Sequence, residues 1–440
     1  MLIKGARRVG KSTLVKDFGE HEYRSYILID FFVASKEVKD LFETKRDDID
    51  SFFLYLSTYY GVRLYVRDTL IIFDEVQLFP LARGFIKHLV ADGRYDFIET
   101  GSLISIKRNT EGILIPSEEE AFELNPFDFE EFLWALGEDI LVELLSKGLD
   151  LGPDPLPSAI HRKAMSLFRE YMLVGGMPQA ITKYVETRSF EETDRVKRRI
   201  LELYRNDIER YAQGDASRII SIFKEIPAQL SRPEKKFVLA SLNKNARMRR
   251  YEDAFFWLED AKIVNLCMNS TDPNVGLGLN RERTTLKCYM ADTGLLITQV
   301  FADQEATSQQ IYRDVLFDKL GVNEGMIMEN MVAQILHASG HELYFYSRSD
   351  REKPENTMEV DFLIVAEGGP HAKICPIEVK SGKRYKTRSL DKFGEKFKKR
   401  VGDQYVVHTG NLKVEGGRIW IPLYLLPWLR TSMSRLAPGD

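Results

Sequence analysis

Residues that would mark a stapled, metal-built or membrane-borne protein are scarce in this chain. It has 3 cysteines in 440 residues, Cys267, Cys288 and Cys375, odd in number and far apart. No two have metal-type spacing, so neither a disulfide framework nor a zinc module is expected, and all three read as core residues of a protein in a reducing compartment. The 7 histidines are dispersed, with no metal or triad spacing. No apolar run reaches the ~20 residues that a membrane-spanning helix needs. The opening MLIKGARR passes straight into a motif with no secretory leader, so a cytoplasmic protein with no membrane partner is expected. Internal repeats and low-complexity tracts are missing too.

What remains is a globular composition, 44% apolar and 29% charged. At this length one hydrophobic core is not enough, and two to four domains are expected. Net charge is −4, which argues against a protein that coats nucleic acid. The distribution is uneven. Ser117 to Glu143 holds ten acidic residues and no basic one, Arg232 to Arg250 seven basic against one acidic, and Lys373 to Arg400 eleven against three. Such basic faces either attract a polyanion or are simply solvated.

Residues 1–135 alternate short apolar strands with helical stretches, the pattern of a parallel sheet with covering helices. The strand candidates are Tyr26–Phe32, Thr69–Asp74 and Tyr95–Thr100. Three prolines within Leu151–Ser158 mark a linker, and Gly175–Pro178 (GGMP) forces a loop in an otherwise helical region. From Ser217 to Asn269 the order of helix, helix, basic helix and apolar segment fits a winged helix-turn-helix. Arg247, Arg249 and Arg250 are its candidate phosphate contacts. The chain then returns to strand, strand, helix and strand.

Gly5-Ala6-Arg7-Arg8-Val9-Gly10-Lys11-Ser12 matches G-x-x-x-x-G-K-[ST] at every position, and Thr13 begins a run of helix formers. The two glycines let the backbone turn its N–H groups toward phosphate oxygens. The following helix points its positive end at the same anion. Lys11 is expected to neutralise the β- and γ-phosphates and Ser12 to coordinate Mg²⁺. Gly5 to Thr13 are therefore the expected contacts to ATP or ADP. The apolar run LIIFDEVQ delivers Asp74 at a strand end, where it would hold the magnesium shell, and Glu75 beside it suits polarisation of the attacking water. Thr100 and Ser102, ending FIETGSL, fit either a γ-phosphate sensor or a strand-end turn.

GARRVGKST, IIFDEVQ, ETGS, LNPFDFEEFL (Leu124–Leu133), YMLVGGMPQAI (Tyr171–Ile181), MADTGLL (Met290–Leu296), EVDFLI and IEVKSGK occur in that order. Together the chain resembles the archaeal and bacterial AAA-type P-loop ATPases that carry a winged helix and a nuclease-like C-terminal domain. The resemblance implies a multi-domain α/β fold with an ATPase domain over 1–150, a helical lid and winged helix over 158–300, and a restriction-endonuclease-like domain over 305–440. It implies ATP and Mg²⁺ as cofactors, roles for Lys11, Ser12, Asp74 and Glu75, and a homo-oligomer whose subunits complete each other's sites. Pro116 to Glu120 offers no arginine to act across such an interface, which leaves Arg7, Arg8, Arg205 and Arg210.

Glu329, Asp361, Glu378 and Lys380 form a second constellation. Glu378 and Lys380, two apart on a strand, share a face, and hairpin pairing brings Asp361 beside Glu378. Two strand carboxylates and the helix carboxylate Glu329 would bind Mg²⁺ through oxygen. Lys380 would orient water or stabilise charge on a phosphodiester. This set looks like the D…(D/E)-x-K signature of the restriction-endonuclease-type core. Two readings follow: an ATPase gating a Mg²⁺-dependent nuclease on DNA, or a nucleotide-driven switch that binds DNA or a protein partner without cutting.

Overall fold

The computed structural model describes residues 1–102, 119–148, 154–212, 214–303, 307–316, 324–349, 357–366, 373–382 and 387–429. Pro116 to Glu118, part of the Leu151–Ser158 proline region and part of the Lys380–Arg400 tract lie outside the described residues. The chain forms two compact units, Met1–Asn125 with Asp260–Lys262, and Pro126–Glu259 with Ile263–Asp440.

The first unit is a five-stranded sheet in the order β2-β3-β4-β1-β5. Its strands are β1 (Leu2–Lys4), β2 (Ser25–Asp30), β3 (Thr69–Asp74), β4 (Asp96–Gly101) and β5 (Ala121–Glu123). Every pairing is parallel. Parallel strands are covered on both faces, and the side chains of β3 show it: all six are buried. Leu70 and Ile72 pack with Val15 of α1 (Lys11–Glu22) on one face. Ile71 and Phe73 join a Phe-rich cluster on the other, with Phe42 of α2 (Lys36–Thr44), Phe52 of α3 (Ile49–Tyr60) and Phe85 of α4 (Pro80–Asp92). The period-2 alternation of one short strand thus fixes which helices lie on which side.

The second unit holds an eight-stranded sheet, order β12-β13-β11-β10-β9-β8-β6-β7. These strands are β6 (Val264–Ser270), β7 (Arg281–Met290), β8 (Leu343–Arg348), β9 (Met358–Ala366), β10 (Lys373–Lys380), β11 (Tyr405–His408), β12 (Lys413–Glu415) and β13 (Arg418–Pro422). The pairing is mixed, antiparallel for β9 with β10 and parallel for β10 with β11. The β6–β7 hairpin, on the N-terminal side of the division expected near residue 300, runs in the same sheet as the later strands.

Among the described residues, that hairpin is preceded by α5 (Phe129–Ala135), α6 (Asp139–Gly148), α7 (Ser158–Val174), α8 (Pro178–Thr187), α9 (Phe190–Tyr211) and α10 (Ala216–Leu230). A short helix, α11 (Glu252–Asp260), follows them. The basic run expected as a helix is instead two single 3₁₀ turns, Leu239–Ser241 and Met248–Arg250, and Arg247, Arg249 and Arg250 are exposed. Asn243 and Asn245 within it favour local side-chain-to-backbone bonds over a continuing helix, and Asn245 N–H donates to the Asn243 carboxamide at 2.9 Å.

Two of the quoted motifs prove to be one structural device. In MADTGLL, Asp292 caps α12 (Thr293–Val300), accepting from Leu295 N–H at 2.8 Å, and its other oxygen accepts from Gly176 N–H at 2.5 Å. The GGMP loop can close on it because Gly175 adopts φ 82° and has no Cβ; one built there would lie 2.4 Å from Asp292 Oδ1. Buried Lys197 on α9 ties the same region together, donating to Leu173 O at 2.6 Å and Gly294 O at 3.2 Å. LNPFDFEEFL is likewise structural: Asp128 and Glu131 form a capping box for α5, whose Phe129 and Phe132 are buried. α13 (Gln309–Leu316) and α14 (Glu324–Ala338) complete this part, and α14 is buried from Met326 to Leu336. A charged α15 (Arg388–Lys396) follows β10.

Candidate functional site

β1, β3 and β4 run in parallel and end at one edge of the first sheet, so their carboxyl ends share the crevice where open α/β sheets take ligands. From β1 the chain enters Gly5, whose backbone lies so near Leu124 that a Cβ would come within 2.4 Å of its carbonyl oxygen. Val9 is fully buried and anchors the loop, while Arg8 at φ 70° and Gly10 at φ 103° turn the backbone. Gly10 is the N-cap of α1 and supplies no side-chain acceptor. The first-turn amides of a 12-residue helix therefore meet an anion-ready concavity. Ala6 is buried, Arg7 half-buried and Thr13 exposed.

Lys11 lies on the floor of this loop, 4% exposed. Its Nζ donates to Gly5 O at 3.1 Å, Ala6 O at 3.0 Å and Ser102 Oγ at 3.0 Å. Burial lowers its pKa to about 8, and Glu75 and Asp74 oppose that fall. Ser12 Oγ donates to Asp74 Oδ1 at 3.0 Å. The same oxygen accepts from Thr100 Oγ1, whose hydroxyl also receives Glu75 N–H at 3.3 Å. Glu75 stands at φ 54°, a left-handed conformation that costs a non-glycine residue about 1 kcal/mol. That turn ends β3 and leads into a 3₁₀ turn, Val76–Leu78. The Glu75 carboxylate is held from two sides, by Ser102 Oγ at 3.2 Å and Gln77 Nε2 at 2.5 Å.

The structure brings Lys11, Ser12, Asp74 and Glu75 together, and Thr100 and Ser102, at the end of β4, bond to the acid pair and to the lysine. Gln77 was missed by sequence reasoning. Its only signal was a polar residue two past Glu75.

These residues fit a nucleotide with Mg²⁺. A buried ammonium whose hydrogen bonds, among the described residues, go to two carbonyls and a hydroxyl gains an opposite charge when phosphate arrives. Ser12 and Asp74 supply hard oxygen donors beside it. The same burial has a pH consequence. Polyphosphate raises the Lys11 pKa above its free value near 8, so binding takes up a proton at higher pH. ATP affinity is expected to be flat with respect to this group between about pH 7 and 8, then to fall by up to about tenfold per pH unit above that. Calorimetric titrations in buffers of different ionisation enthalpy check this, and an unchanged affinity at about pH 9 would contradict it.

The second constellation is arranged differently from expectation. β9 and β10 pair as proposed, Ile377 opposite Phe362, with Asp361 and Glu378 the next positions along. Asp361 Oδ2 accepts from Val379 N–H at 2.9 Å, and Lys380 is ion-paired with Glu378. Burial and then the Asp361 charge push the Glu378 carboxyl up to about 7, against the pull of Lys380. Glu329 on α14 approaches the same cluster through Lys287 rather than alongside Glu378: it bonds Lys287 Nζ at 3.0 Å, Tyr289 Oη and Lys235 Nζ. Burial would raise its pKa, but Lys287 and Lys235 outweigh that and hold it at about 2. Lys287 also reaches Glu359 at 3.0 Å and Asp361 at 3.7 Å, while Lys236 pairs with Glu359 at 3.2 Å.

Among the described residues, no group of three or more His, Cys, Asp or Glu side chains is placed to hold a metal. The expected Mg²⁺ ligand set of Glu329, Asp361 and Glu378 is, among the described residues, engaged by lysines instead. Chief among them is Lys287, which β7 inserts among Glu329, Glu359 and Asp361. Lys235, Lys236, Lys287, Tyr289 and Glu359 were all missed. Glu359 alone had a signal, two positions before Asp361 on the same strand face.

Arg205 and Arg210 lie on α9 of the second unit. No described helix is long and apolar enough to cross a membrane.

Comparison with known proteins adds the following. No curated protein matches the chain. Residues 165–306 and 324–426 match models of two domains of unknown function, DUF8612 and DUF4143, and neither description names a winged helix or a nuclease. Among solved structures, the Aeropyrum pernix Orc1 protein in complex with DNA matches at 10% identity, covering 69% of this chain and 86% of that chain, with a TM-score of 0.25. That likeness is too slight to carry an architecture. Residues 1–133 match the model of the AAA domain. With the glycine loop, the acid pair and the parallel sheet assembled in one unit, the N-terminal part of the chain is similar to a P-loop domain of the AAA type over those residues.

Proposed function

We propose that the chain is an ATP-hydrolysing AAA-type ATPase that uses nucleotide state to control DNA binding by its second unit, without cutting the DNA. The observation that carries the ATPase reading is buried Lys11, bonded to its own loop carbonyls and to Ser102 beneath an uncapped helix start. On binding, the ammonium trades carbonyl dipoles for phosphate charge, and the loop amides and the α1 terminus hold the remaining oxygens. Ser12 would ligate Mg²⁺ and Asp74 would hold its water shell. Bound Mg²⁺ supplies Lewis-acid neutralisation of the phosphates. Glu75, steadied by Ser102 and Gln77, accepts a hydrogen bond from the attacking water and orients it.

The DNA reading is supported by exposed Arg247, Arg249 and Arg250 and by the basic excess of Lys373 to Arg400, eleven residues against three. The nuclease reading retains neighbouring Asp361, Glu378 and Lys380, but it needs a metal group that the described carboxylates do not form. The test measures affinity for a labelled duplex, by fluorescence anisotropy, with ADP and with a non-hydrolysable ATP analogue. A change of at least about fivefold between nucleotides, typical of a coupling of about 1 kcal/mol or more, is expected. Equal affinity in both states refutes the switch, because a ligand biases only states that it binds differently. Nicking that requires Mg²⁺ and disappears in Asp361→Asn would restore the nuclease reading, and retention of a protein rather than DNA would redirect the partner.

A further inference from the structure

We infer that the Lys287 ammonium is a built-in cation that takes the place of a divalent metal among the carboxylates of the second unit. Lys287 extends from β7, the edge strand of the eight-stranded sheet, and its side chain is 1% exposed. Its Nζ stands 3.0 Å from Glu329 Oε1, 3.0 Å from Glu359 Oε1 and 3.7 Å from Asp361 Oδ1. Three carboxylates from α14 and β9 therefore converge on one ammonium nitrogen.

The charges around it are balanced. Glu329, Glu359, Asp361 and Glu378 face Lys235, Lys236, Lys287 and Lys380, and each carboxylate has at least one of these lysines as an ion-pair partner. A divalent ion added to this set would leave two uncompensated positive charges in a buried site. Several of the carboxylate oxygens are also committed. Glu329 Oε1 serves both Lys287 and Tyr289, its Oε2 serves Lys235, and Asp361 Oδ2 serves Val379 N–H. Magnesium demands oxygens at about 2.0–2.1 Å, and the ammonium occupies the space from which it would collect them. Attraction to Glu329, Glu359 and Asp361 outweighs the burial penalty and keeps Lys287 charged. The cluster therefore locks β7 and β9 of the sheet to α14 by ion pairing, with no metal to lose.

This inference rests on the carboxylate cluster alone, so the nucleotide chemistry can fail without affecting it, and the reverse holds as well. The test is Mn²⁺ binding to the full chain without nucleotide, by electron paramagnetic resonance of the free ion, in wild type, Lys287→Met and the double variant Lys287→Met with Asp361→Asn. Wild type should bind no Mn²⁺ that depends on Asp361. Lys287→Met, which keeps much of the side-chain volume but removes the charge, should gain one Mn²⁺ with affinity raised by at least about tenfold, and the double variant should lose it. Tight Mn²⁺ binding by wild type that disappears in Asp361→Asn would overturn the inference, as would a folded Lys287→Met that gains none. Should Lys287→Met not fold, wild-type melting decides: the same melting temperature in Mn²⁺ and in chelator is expected, and an Asp361-dependent rise in Mn²⁺ overturns the proposal.

Discussion

Lys11→Ala is expected to lower ATP turnover by about 10²–10³-fold, the usual consequence of removing one preorganised charge aimed at a developing anion. The expectation follows from how the side chain is held. The Lys11 ammonium is 4% exposed and fixed by two loop carbonyls and Ser102, so little reorganisation is needed when phosphate arrives. Alanine removes the charge and leaves the Gly5 and Ala6 carbonyls pointing at an anion, which compounds the loss. Nucleotide affinity should fall as well, because the lysine contacts bound phosphate before and during the reaction. Phosphate release under saturating ATP and Mg²⁺ measures the first effect and equilibrium titration the second. A variant that turns over at the wild-type rate would remove Lys11 from the site.

Glu75→Gln separates binding from chemistry. Its carboxylate accepts from Ser102 Oγ and Gln77 Nε2, and glutamine keeps the length and one accepting oxygen. The loop and Lys11 are left intact, so ATP should bind with affinity within a few-fold of wild type. Turnover should fall by about 10²–10⁴-fold, the range for a lost general base. Bound, uncleaved ATP should then accumulate on the protein, seen by rapid filtration with labelled nucleotide. Unaltered turnover would mean that another group orients the water.

The nucleotide site was legible because its parts are local. Eight consecutive residues build the loop, and one apolar strand both places Asp74 and ends in Glu75, so periodicity and motif carry nearly all of it. The φ 54° turn at Glu75 and the bonds from Thr100, Ser102 and Gln77 were not legible, because they depend on which strand lies beside β3. The strands at 69–74 and near 96–101 were placed within a residue of their observed ends for the same local reason.

The second site shows the opposite case. Asp361, Glu378 and Lys380 could be paired from a two-strand register. Lys287 could not, since it comes from a strand much earlier in the chain whose place in the sheet is set by its pairing with β6 and the pairing of β6 with β8. A lysine in an alternating strand reads as solvent-facing from sequence. Here a buried ring of carboxylates reverses that. The basic run at 244–250 misled in the other direction, where charge suggested a recognition helix and asparagine turn chemistry produced short 3₁₀ turns. α10 matches the first helix expected from Ser217, and the motifs around Gly175 and Asp292 were visible as motifs while their mutual bond was not.

The central claim is that the loop at Gly5–Ser12 and the acids at Asp74 and Glu75 form one working nucleotide site. Its most direct measurement is calorimetric titration of ATP with Mg²⁺ into the full chain and its Glu75→Gln and Lys11→Ala variants. One site per chain in wild type and Glu75→Gln, with binding lost or greatly weakened in Lys11→Ala, is the predicted result. Absence of saturable binding in wild type, or equal binding by all three proteins, would contradict the account.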